Sequence, residues 1–94
     1  QEQEQEAAAK EAADRTKRLQ QVEDIKWLVG HASGRRIVIR LLDRAGVYRS
    51  SFNHSGSVMA FSEGKRDMGL FLLGELMDIA PESYMRMLKE MRDE

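Results

Sequence analysis

Two histidines, one Ser-x-x-Lys tetrad and a cluster of arginines are the residues whose type and spacing invite chemistry. The chain has no cysteine, which removes thiol nucleophiles, Cys–His pairs and thiolate zinc sites together. His31 and His54 stand in unlike contexts with no Asp or Glu at ligand spacing, so both read as turn or surface residues. Ser62 to Lys65 ("SEGK") matches a short, common pattern without its partner motifs. Neither "HSGS" nor "SEGKRD" forms a phosphate-cradling loop of the Walker type. The expectation is a protein with no enzymatic activity, no metal and no cofactor.

The arginines carry more. "GRRIVIRLLDRAGVYR" holds Arg35, Arg36, Arg40, Arg44 and Arg49, and on a helix Arg36, Arg40 and Arg44 form one ridge at i, i+4, i+8. A planar guanidinium pairs bidentately with phosphate or with carboxylate. For phosphate, a helix ending near Gly30, a short "HASG" turn and a basic helix resemble a helix-turn-helix layout. Against it, the segment has no Asn or Gln to read base edges, and the acidic ends of the chain repel DNA. For carboxylate, the ridge suits acidic partner helices, including the N-terminal arm of another copy in a head-to-tail, ring-forming contact. A helical hairpin with a solvated arginine face explains the same residues more blandly.

These residues need elements to hold them. "QEQEQEAAAKEAADR" consists of strong helix formers with nothing apolar larger than Ala before Leu19, so it reads as a solvated helical arm over 1–18. A small helical domain over 19–94 follows. Leu19, Val22, Ile25 and Val29 follow helical spacing up to a stop near Gly30–Ala32. Ser33 is expected to cap the next helix, about 34–45, with Gly46 as its C-terminal stop. "VYRSSFNHSGS" reads as a loop, and Trp27, Tyr48 and Phe52 are expected to pin hairpin and loop to the core. In a long helix over 57–79, Phe61, Met68, Phe71, Leu72, Leu76 and Ile79 make the apolar stripe. Gly64, Gly69 and Gly74 interrupt it, each costing about 1 kcal/mol against Ala unless a neighbour approaches closely. Pro81 suits the first position of a last helix. The fold class is all-α: a small bundle of four to five helices with an extended N-terminal arm.

Ninety-four residues bury only about 60–65% of the unfolded surface, and no disulfide adds to that. Oligomerisation is therefore expected. The net charge of −1 is uneven: five acids and one lysine over 1–14, five arginines and one aspartate over 35–49. No apolar run approaches the roughly 18 residues of a membrane span.

The stretch "DIKWLVGHASGRRIVIRLLDRAGVYRSSF" with "SEGKRDMGLFLLGELMDIAPESYMRMLKE" resembles a family of small virion-associated proteins of short-tailed, Bordetella-type bacteriophages. The shared positions include Asp24, Trp27, Gly34, Arg35, Arg36, Arg40, Ala45, Gly46, Tyr48 and Phe52, then Gly64, Arg66, Gly69, Pro81 and Tyr84. The likeness covers about 24–90 and has no counterpart for "NHSGSVMA" or for the arm. It implies a virion component without enzymatic activity, made in the host cytoplasm from the structural gene module. A multi-copy adaptor, or a core or ejection component, in the head interior or at the portal vertex fits best. Its partners would be portal, core or neighbouring subunits, touched through Arg35, Arg36, Arg40, Arg44 and Arg49. A small DNA-binding protein using the same arginines on phosphate is the alternative.

Overall fold

Strong helix formers dominate the stretch from the second residue to Val29, with no Gly or Pro among them, and in the computed structural model, which describes residues 1–93, it forms one continuous helix. This α1 (Glu2–Val29) is about 42 Å long at 1.5 Å per residue, with Glu2 and Glu4 complementing the positive end of its dipole. Three further helices follow among the described residues: α2 (Ala32–Ala45), α3 (Gly56–Ile79) and α4 (Pro81–Arg92). The architecture is all-α, with four helices, within the expected four to five.

Local chemistry sets most of the boundaries. Gly46 stands at φ +84°, where an L side chain is strained, and its N–H satisfies the carbonyls of Leu42 and Asp43 at the end of α2. Ser55 caps α3 by accepting from the Val58 N–H, and Pro81 opens α4 after a corner at Ala80. One boundary differs from expectation. The cap position of α2 is the extended His31, not Ser33, so the helix starts two residues early, at Ala32. Just inside this start the packing is tight. A Cβ on Gly34 would lie 1.8 Å from the Leu28 carbonyl oxygen, so α1 and α2 touch backbone to backbone there.

The core gathers Val29, Val38, Leu42, Val47, Leu76, Ala80, Tyr84 and Met87, drawn from all four helices and the loop. Helix α2 packs on each of the other three, and α3 packs on α1 and α4 as well. At Gly69 the α2 end closes in, and an added Cβ would meet Ala45 Cβ and Val47 Cγ1 at 2.6 Å. Gly64 and Gly74 have nothing within 4 Å.

The core is small for the chain. Its radius of gyration is 17.6 Å, against about 12 Å for a compact domain of this length. The N-terminal part of α1 projects, exposed through Lys17, until Arg18 meets Glu75 at 2.6 Å and Asp78 at 3.3 Å. The expected α3 stripe is also corrected. Leu72, Leu76 and Ile79 pack inward, but Phe61, Met68 and Phe71 lie 67–70% exposed, because the neighbouring helices do not cover that face.

Candidate interaction surfaces

Of the five arginines between 35 and 49, the structure separates three from two. Arg35 is 5% exposed; its Nε lies 3.0 and 3.2 Å from the two Glu90 carboxylate oxygens and its Nη1 donates to the Val29 carbonyl at 2.9 Å. It therefore ties the end of α1 to α2 and α4, which corrects its assignment to a partner surface. A side chain so enclosed has its donors committed inside the molecule. Glu90 in turn is held below its ordinary carboxylate range, chiefly by the hydrogen bond from Arg35 and with Arg86 adding to the effect. Arg49 bonds within the molecule while its side chain stays 60% exposed: Nη2 donates to the Asp43 carbonyl at 2.8 Å and Nη1 faces the Asp43 carboxylate at 3.4 Å, at the end of α2.

Arg36, Arg40 and Arg44 are exposed on the outer face of α2. Among the described residues, none of the three has a carboxylate within 4.0 Å, whereas Arg15, Arg18, Arg35, Arg49, Arg66, Arg86 and Arg92 each do. Asp43 lines the same stretch of surface as Arg40 and Arg44, but its carboxylate faces Arg49. Ile37 and Leu41, also exposed, lie next to the ridge on the same helix.

The aromatic anchors divide too. The Tyr48 and Tyr84 hydroxyls share a hydrogen bond of 2.7 Å, joining the loop to α4. Burial, with that bond second, pushes the Tyr48 hydroxyl above the ordinary tyrosine range. Trp27 and Phe52 do not pin the core: both are 70% exposed, Trp27 tilted against His31 and Phe52 edge-on to His54. A core this small has no room to wrap them. His31 instead serves the turn, its Nδ1 donating to the Trp27 carbonyl at 2.7 Å.

The Lys65 ammonium sits over the Phe61 ring, 5.2 Å from its centre. Among the described residues no group of three His, Asp or Glu side chains is placed to hold a metal ion, and no helix is long and apolar enough to cross a membrane. Sequence reasoning missed Glu90, the partner of Arg35, because 55 residues separate the two. It also missed the close approach at Gly34, although a glycine inside so regular a helix was a signal.

The profile of a family described as Bbp19-like phage protein matches residues 25–89, which takes in α2, α3 and most of α4 and leaves the projecting part of α1 outside. No curated protein and no solved structure matches.

Proposed function

Because the chain belongs to the Bbp19-like phage protein family, we propose that it is a non-enzymatic structural or assembly component of the phage particle. It is present there in several copies, as an adaptor or a core or ejection component in the head interior or at the portal vertex. The observation that carries this reading is the balance of its apolar surface. Fourteen large apolar side chains are exposed against eight residues in the buried core, and Phe61, Met68 and Phe71 line one uncovered face of α3. Uncovered apolar faces of this kind mark contact surfaces, and neighbours in an assembly would cover this one. Portal, core or adjacent subunits are the neighbours a particle supplies.

The test is co-sedimentation. After nuclease digestion of an infected lysate, the chain should band with particles in a density gradient. A chain that stays at the top of the gradient refutes the assignment.

The exposed ridge on α2 also supports a second reading, contact with DNA phosphate. Three phosphates neutralised by Arg36, Arg40 and Arg44 give a log–log salt slope of about −2.7. Binding without that slope, or no binding at all, removes this reading.

A further inference from the structure

We infer that the projecting N-terminal part of α1 of one copy lies along the Arg36–Arg40–Arg44 ridge of a second copy. The inference rests on the multi-copy reading above and names the partner for one of its surfaces. Seven of the ten arginines in the chain have a carboxylate within 4.0 Å, and the three that do not, among the described residues, stand in one row. The row spans about 12 Å along α2 at 1.5 Å per residue. The complementary charge is on the same chain. Glu2, Glu4, Glu6 and Asp14 are exposed and, among the described residues, none has a cation within 4.0 Å. Glu4, Glu11 and Asp14 share a helical face spaced by seven and three residues, long enough to run beside the row, with Glu11 also facing Arg15 on its own helix at 4.0 Å. That face is in register with Arg18, Ile25 and Val29, which meet the domain further along α1. Ala7 and Ala8 lie within the stripe and permit close approach to Ile37 and Leu41 beside the ridge.

A copy cannot satisfy its own ridge. Arg18 is clamped by Glu75 and Asp78, and from there α1 continues unbroken to Glu2, about 24 Å further out. The arm leads away from the domain, so the acids that meet the ridge come from another molecule. Each copy then offers one arm and accepts one, a head-to-tail contact that closes into a ring or grows into a filament according to the angle between copies. Solvated ion pairs are individually weak, so the contact is salt-labile.

The experiment is the solution mass of the full chain by light scattering, across concentration and ionic strength, with two charge-reversed variants. One carries Arg36→Glu, Arg40→Glu and Arg44→Glu; the other carries Glu4→Lys, Glu11→Lys and Asp14→Lys. The parent is expected to associate at low salt and dissociate as salt rises. Each variant alone should associate at least about tenfold more weakly. Mixed, the two should associate again, because each supplies what the other repels; that recovery also shows that both variants fold. A parent that stays monomeric throughout, a variant that alone keeps the parent's mass, or a mixture that stays dissociated overturns the inference. So does loss of DNA binding in the ridge variant at unchanged mass, which assigns the ridge to phosphate. A chain that bands with particles yet does not self-associate sinks this contact alone; a self-associating chain absent from particles sinks only the particle assignment.

Discussion

Replacing two helical glycines by alanine should shift stability in opposite directions. In isolation, alanine at either position gains about 1 kcal/mol of helix propensity. At Gly64 nothing lies within 4 Å of the new Cβ, so the gain survives: about 0.4–1 kcal/mol, or a rise of about 2–8 °C in Tm for a domain of this size. At Gly34 the same methyl would sit 1.8 Å from the Leu28 carbonyl oxygen and 2.8 Å from its carbon. An ordinary carbon contact is about 3.5 Å, so α1 and α2 would have to part by roughly 1.5 Å. The clash is with backbone, and no side-chain rotation relieves it. Separation also pulls on the Arg35 bond to the Val29 carbonyl, 2.9 Å long and one residue along from the contact. Overpacking of this kind costs about 1–3 kcal/mol even where the surroundings yield, and here they do not. The expected net loss for Gly34→Ala is about 2 kcal/mol or more, a fall of roughly 8–16 °C. Thermal unfolding followed by far-UV circular dichroism, in high salt so that association does not contribute, reads both. The reasoning is refuted if Gly34→Ala melts at or above the parent, or if Gly64→Ala falls with it.

Three further outcomes are expected. Arg35→Met should destabilise well beyond the roughly 0.5 kcal/mol typical of surface changes, while Arg36→Met stays within it; urea unfolding of the two decides, and equal midpoints contradict the division of the arginines. Leu76→Ala removes a fully buried side chain and should cost about 2–5 kcal/mol, whereas Phe61→Ser should leave the melting of the dissociated chain nearly unchanged and lower its incorporation into particles. In acid, the lowered value of Glu90 means that its contribution is complete above the unfolded value of about 4.3 and is lost as pH falls through the folded value, since the unfolded chain binds the proton first. The stability–pH curve of Glu90→Gln should therefore be flatter below that point, and a curve parallel to the parent's contradicts the Arg35–Glu90 tie.

What was legible in the sequence was local. The four-residue spacing of Arg36, Arg40 and Arg44, the stop at Gly46 and the corner at Ala80–Pro81 follow from helix period and backbone preference, and they stand in the structure as those rules require. What failed was tertiary. Ser33 has the right chemistry for a cap, yet the extended residue is His31 and α2 starts at Ala32. Trp27, Phe52, Phe61 and Phe71 are apolar enough for a core, and only the size of the bundle shows that they lie outside it. The recurrence of Gly64, Gly69 and Gly74 suggested close approach without saying where; only Gly69 meets a neighbour within the molecule. Arg35 sits beside Arg36 in sequence and takes the opposite role because Glu90, contributed by α4, waits on one side of α2 and not the other.

The central claim is that this chain is a repeated part of a phage particle, and its copy number tests that most directly. Gradient-purified particles, digested and measured against isotope-labelled peptides of the chain and of a capsid protein, give copies per particle. Several copies are expected, in the same ratio to the capsid protein from one preparation to the next. Fewer than one copy per particle, or a ratio that drifts with washing, would contradict it.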